Sequence, residues 1–221
     1  MATEQKFSKS EAVRFGWNTT RSNLGFFIGL LIVVGMIYFI PDFIAELLKK
    51  DAPVLSFIVD VVSWILGIIV QMGLIKIALR FCDNKRAKLA DLFSCLPLFF
   101  KYLFGSILYH LIVLGGTILL IIPGIIWAIK FQFFDYFIID KGLGPIEALK
   151  ESSAITRGAK WDLFFFNLLL GFINFLGALC LLIGLFVTVP TAMLAMAFVY
   201  RKLLTQKETS QVPELSTEKG I

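Results

Sequence analysis

The sequence predicts an all-α, polytopic integral membrane protein with six transmembrane helices. Three observations carry that prediction. First, the 221 residues are 58% hydrophobic and only 17% charged, with a mean hydropathy of +0.84, whereas soluble domains hold about 45–50% apolar and about 25% charged residues. Second, the apolar residues come in blocks long enough to cross a bilayer. Third, lysine and arginine fall between the blocks, crowded in alternate gaps, which is how loops beside membrane spans record topology.

Taken in order, the expected spans cover about residues 24–40, 54–81, 98–122, 123–139, 163–183 and 185–204. The first, LGFFIGLLIVVGMIYFI, is expected to end at Pro41. The second contains Asp60 near its start, with Lys76 and Arg80 near its end, where long basic side chains can snorkel. The third and fourth meet at Ile122-Pro123-Gly124, a tight helical hairpin with proline suited to a first helical turn. The fifth and sixth are joined close to Gly184. Residues 1–204 therefore form a single membrane domain. Residues 205–221, polar and without apolar periodicity, read as a disordered cytoplasmic tail.

Lys6, Lys9, Arg14 and Arg21 precede the first span, and Arg201, Lys202 and Lys207 close the last. Lys85, Arg86, Lys88 and Lys101 lie between spans two and three; Lys141, Lys150, Arg157 and Lys160 lie between four and five. The other side has only Lys49 and Lys50, among Asp42, Glu46 and Asp51. Both termini are accordingly expected in the cytoplasm.

The inside segments carry helical patterns of their own. In KRAKLADLFSCL (85–96) apolar residues at 89, 92, 93 and 96 form one stripe, and Lys85, Arg86 and Lys88 form a basic face. Such a helix is expected to lie on the inner surface against anionic headgroups, with Arg157 and Lys160 as further basic contacts. PIEALKESSAITR (145–157) starts on proline, has Glu147 in its first turn, and precedes Gly158. Glu11-Ala12-Val13-Arg14 and Thr20-Arg21 match Glu147-Ala148-Leu149-Lys150 and Thr156-Arg157 in order and offset. Surface helix, span, span thus recurs three times, which predicts three parallel repeats about an axis along the membrane normal.

IIPGII (121–126), DKGLGPIEALKESSAITRGAKWDLF (140–164) and VTVPTAMLAMAFVYRKL (187–203) resemble an uncharacterised group of bacterial six-span proteins. That group is related to the membrane domain found ahead of glycerophosphodiester phosphodiesterases. The resemblance implies a six-helix membrane domain in the plasma (bacterial inner) membrane and little about activity, since that group has no established catalytic motif to carry over.

The residues themselves point away from enzymes. No Ser/His/Asp set, HExxH, phosphate-binding loop or carboxylate cluster is present. Cys82, Cys95 and Cys180 form no CxxC, so no metal or cofactor is expected. The +5 charge lacks a basic stripe and a nucleic-acid motif, which excludes nucleic acid. Partners are expected to be membrane lipids and a membrane or cytoplasmic protein.

What stands out is polarity inside the spans: Asp60, His110, Lys130 and Asp135. Lys130 and Asp135, five apart, are about 140° apart around one helix and cannot pair. Counted from the hairpin, His110 and Asp135 lie at one depth, roughly 18–20 Å from the outer end. Asp60 matches Lys130. His110–Asp135 and Asp60–Lys130 are therefore the expected pairs. They would serve a non-enzymatic scaffold, assembly or lipid-interacting domain, or alternatively line the path of a small-solute or proton transporter or channel.

Overall fold

A computed structural model describes residues 7–180 and 183–218, with side chains to residue 210. The described residues are helical throughout, without strands, and six helical stretches are long and apolar enough to span a membrane. The α-helices are α1 (Lys9–Ser22), α2 (Leu24–Leu48), α3 (Pro53–Cys82), α4 (Phe99–Leu119), α5 (Ile121–Phe131), α6 (Phe134–Lys141), α7 (Pro145–Ile155), α8 (Lys160–Leu179) and α9 (Leu185–Glu218). Spans one, two, five and six are α2, α3, α8 and α9. Span three is α4 with its preceding turns, and span four is α5 plus α6.

Burial ranks the helices. The most apolar window of α9 is 50% buried and that of α2 only 11%, so α9 is central and α2 peripheral. The core gathers at the basic end of the bundle, around Tyr200, Phe133, Phe137 and Phe166. Apolar side chains at the opposite end, among them Phe39, Val54, Ile118 and Leu179, lie exposed, as a lipid-facing surface requires.

At the basic end α3, α6 and α9 converge. Arg201 of α9 donates to Asp140 of α6 and to Asp83, the C-cap of α3. The Tyr200 hydroxyl donates to the same Asp140 at 3.1 Å, and its ring packs on Phe133, Tyr136 and Phe137.

Each segment at the basic end packs against the second span of the preceding pair, taken cyclically. Ten residues before Asp83, Asp140 and Arg201 stand Gly73, Lys130 and Thr191. Gly73 faces the Leu92 backbone so closely that a Cβ would collide with it. The Lys130 carbonyl accepts from Ser152 (3.2 Å) and Thr156 (3.0 Å) of α7. The Thr191 carbonyl sits where a Cβ on Gly16 of α1 would fall, and the Thr191 hydroxyl bonds that of Thr20 at 3.3 Å. Ala12, Gly16 and Thr20 of α1 are buried, as are, at matching offsets, Ala148 and Ser152 of α7 and its C-cap Thr156.

Four expectations change. The helix α2 runs through Pro41 to Leu48 instead of ending there. Residues 85–96 form two 3₁₀ turns, Leu89–Phe93 and Leu96–Leu98, in place of one amphipathic helix. Asp91 causes this: it accepts from the Lys88 backbone at 2.7 Å, pairs with Arg80 at 3.0 Å, and draws Leu92 onto Gly73. Leu89, Phe93 and Leu96 stay exposed.

Span four is interrupted at Gln132-Phe133. The Phe133 amide is satisfied by Ser152 Oγ at 3.1 Å, and Asn167 of α8 donates to Gln132 at 2.8 Å. Finally, residues 205–218 continue α9 as helix instead of a disordered tail; residues 219–221 lie outside the described residues. Lys207–Glu151 and Lys141–Glu208 pairs tie that extension down.

Candidate functional site

Between the α2–α3 hairpin and α4 lies an open groove of about 1190 Å³. Its first wall is held by side chains that reach across the hairpin. Ser63 Oγ donates to Asp42 Oδ1 at 3.1 Å, Tyr38 to the Gly67 carbonyl at 3.3 Å, and Ser56 to the Ala45 carbonyl at 2.9 Å. The α4 wall offers apolar Leu103, Ile107, Leu111 and Leu114, with Ser106 and His110 among them.

Asp60 lines this groove and is exposed to it, without a hydrogen bond or ion pair among the described residues. As the eighth residue of α3 it lies about 10 Å along the helix from its start. Its charge reaches Lys49 in the connecting turn. That ammonium is held above its ordinary value by its hydrogen bond to Glu46 first, with the Asp60 field adding a smaller pull. Asp42 and Asp60 thus face a mostly apolar groove.

The four expected intramembrane residues divide into two groups. Asp60 and His110 line the same groove, while Lys130 and Asp135 do not. His110 Nδ1 lies 2.7 Å from the Ser106 carbonyl, one turn back. Lys130 Nζ sits 4.9 Å from the centre of the Phe131 ring, and Asp135 accepts from the Tyr136 amide at 2.8 Å. Neither expected pair, His110–Asp135 or Asp60–Lys130, is formed among the described residues. For His110–Asp135 the reason is the interruption at Gln132-Phe133, since depth counted along one continuous helix does not carry across two. Lys130 precedes the break, on α5, which packs against α4, α7 and α8 and not against Asp60 on α3.

Asp42, Ser63, Gln71 and Ser106 also line the groove, and sequence reasoning missed them. Asp42 had a signal, since α2 continues past Pro41 and carries it into the groove wall. Serines and glutamine in an apolar block carry less weight by composition, because a single uncharged polar group is readily satisfied within a span.

At the basic end a second cavity, of about 560 Å³, opens between the α1–α2 junction and the turn after α3. Asn18, Thr19, Ser22, Asn84, Lys85 and Arg86 line it, over the rings of Phe15, Phe26 and Phe81. Two of the five expected membrane-surface basic residues therefore share one pocket. Lys88, Arg157 and Lys160 are exposed outside it.

No curated protein and no solved structure matches the chain. One family model does, described as a domain of unknown function (DUF7847), and nothing in that match links the chain to glycerophosphodiester phosphodiesterases. The match spans residues 52–216, from the start of α3 almost to the end of α9 and well over half of the chain, so the protein belongs to the DUF7847 family.

Proposed function

We propose that this protein is a non-enzymatic plasma-membrane domain that holds a lipid or lipid-like amphiphile in the groove between the α2–α3 hairpin and α4. The observation that carries this reading is Asp60: a carboxylate within a span, unpaired among the described residues, in a groove whose remaining surface is mostly apolar. A charge at membrane depth needs water or a partner. An amphiphile meets both demands, placing a polar head near Asp42 and Asp60 and its chain along Leu103, Ile107 and Leu111. The volume is also ample, since pockets for drug-sized ligands span about 300–1,000 Å³.

Both termini face the cytoplasm in this reading, which the concentration of lysine and arginine at one end supports. The architecture is a threefold parallel repeat. Its support is the common register of Gly73, Lys130 and Thr191 against their inside segments, and of Asp83, Asp140 and Arg201 at the axis. Kinship with the membrane domain ahead of glycerophosphodiester phosphodiesterases rests on the three quoted sequence stretches alone.

Transport is the second reading, and the interruption of span four is what favours it, because broken helices line transport sites. Against it, the backbone groups freed at the break are already taken by Ser152 and Thr156.

Native mass spectrometry of the protein released from its own membrane tests the lipid reading. The wild type is expected to carry one amphiphile more than Ser106→Trp and Ile107→Trp, which fill the groove. A wild type that arrives empty, or filled variants that carry as many amphiphiles as the wild type, would overturn it.

A further inference from the structure

We propose that the cavity at the basic end binds the phosphate group of an anionic membrane lipid. Its electrostatics point one way. Lys85 and Arg86 line it, and neither side chain has a carboxylate partner among the described residues. The nearest acids are engaged elsewhere, Asp83 by Arg201 and Asp91 by Arg80.

One backbone end reinforces the cations. Three helix ends meet here, and most of the last carbonyls at the two carbonyl ends already accept hydrogen bonds. Asn23 donates its amide to the Thr19 and Thr20 carbonyls of α1, while Asp83, Asn84 and Lys85 donate to Leu79, Phe81 and Arg80 of α3. The amino end of α2 is not capped: Asn23 makes no side-chain cap bond, and the first turn contains no acidic residue. Its free N–H groups leave a positive end at the cavity, which takes in Asn23 and Phe26 from that turn. Asn18, Thr19, Ser22 and Asn84 add neutral polar groups suited to phosphate oxygens, and Asn84 takes the left-handed conformation (φ 54°) that turns the chain there.

A lipid is the occupant that fits both halves of the lining. The floor is aromatic, with Phe26 and Phe81 in edge contact at 5.6 Å. The cavity also sits at the start of α2 and just past the end of α3, two helices long and apolar enough to span a membrane. A phosphate with an acyl tail can place its charge on Lys85 and Arg86 and its glycerol and first methylenes on those rings. The assignment rests on the cytoplasmic placement of this end proposed above, where anionic lipid is attracted by clustered basic residues.

The test is titration of the full chain, in an uncharged detergent, with phosphatidylglycerol, phosphatidylcholine or inorganic phosphate, read by native mass spectrometry. Phosphatidylglycerol is expected to bind in preference to the other two. Lys85→Ala/Arg86→Ala is expected to weaken it by about tenfold or more, the loss of one or two charge-assisted contacts. Arg157→Ala/Lys160→Ala removes the same charge from the same end outside the cavity and is expected to leave binding near wild type.

Ser22→Trp fills the cavity without altering charge and is expected to abolish binding, which guards against misreading a folding defect. Equal weakening by the two double variants would mean diffuse surface attraction and overturn the site. Inorganic phosphate binding as tightly as the lipid would overturn the lipid assignment. Ser106→Trp separates this proposal from the groove: if it alone removes the bound lipid, the lipid belongs to the groove and this site fails. Because binding in micelles is read regardless of sidedness, a wrong topology and an absent site give different results.

Discussion

Arg201 holds Asp140 with both arms of its guanidinium, Nη1 to Oδ2 at 2.6 Å and Nη2 to Oδ1 at 2.8 Å. The same Nη2 reaches Asp83 at 2.8 Å, so one side chain ties the ends of spans two, four and six. Their side chains are only 13–30% exposed, little enough for the attraction to escape most solvent screening. Arg201→Ala strands two carboxylates at a partly buried junction and is expected to destabilise the protein by about 3 kcal/mol. Arg201→Lys keeps the charge but loses the fork, and should fall between the two. Thermal unfolding in detergent measures both; an alanine variant that melts with the wild type would show that the junction holds nothing together.

Ser152 and Thr156 do a different job, sealing the break in span four from the side. Ser152 accepts from the Phe133 amide and donates to the Lys130 carbonyl, which also receives Thr156. Ser152→Ala is expected to cost about 1–3 kcal/mol, the penalty for an unsatisfied buried group. Thr156→Val should cost less, since the Lys130 carbonyl keeps its serine. The double variant strips that carbonyl of both donors, so its loss should exceed the sum of the singles, a coupling that a double-mutant cycle reads directly.

That break also marks where sequence reading stops. The six spans were legible because hydropathy over twenty residues is a summed signal, and Asp60 and His110 were legible because charge and imidazole stand out in lipid. The interruption at Gln132-Phe133 was not, since FQFFDYF contains neither proline nor glycine. Its cause lies twenty residues downstream, in two hydroxyl side chains that replace the lost helical bonds. The 3₁₀ path of residues 89–98 was hidden for the same reason: the apolar stripe is real, but Asp91 finds Arg80 on another helix. Residues 205–218 were misread because polar composition was taken as disorder, whereas Lys207 and Glu208 pair with Glu151 and Lys141.

Glycine substitutions separate close contact from simple flexibility. A Cβ at Gly73 would run into the Leu92 backbone, and one at Gly16 into the Thr191 carbonyl. Neither neighbour can move without shifting a whole element, so Gly73→Ala and Gly16→Ala are expected to destabilise by about 1–3 kcal/mol, as overpacking does. Gly25, Gly29 and Gly115 face open space. Alanine there should be neutral or stabilise by up to about 1 kcal/mol, the difference in helix propensity. Melting temperatures of the five variants should therefore fall into two groups, Gly73→Ala and Gly16→Ala below the wild type and the other three at or above it.

Sidedness can be read residue by residue. In a background with Cys82, Cys95 and Cys180 replaced, single cysteines at Lys50, Lys88 and Arg157 each sit on an exposed position. A membrane-impermeant thiol reagent applied to intact cells is expected to label the Lys50→Cys variant alone. Lys88→Cys and Arg157→Cys should react only once the membrane is opened. Lys88 and Arg157 lie on segments that pack against different spans, α3 and α5, so they report independently. Labelling of both from outside would invert the whole topology and move the Lys85–Arg86 pocket to the outer face. Labelling of one alone would instead break the parallel arrangement of the three units, because two spans per unit must return every inside segment to the same side.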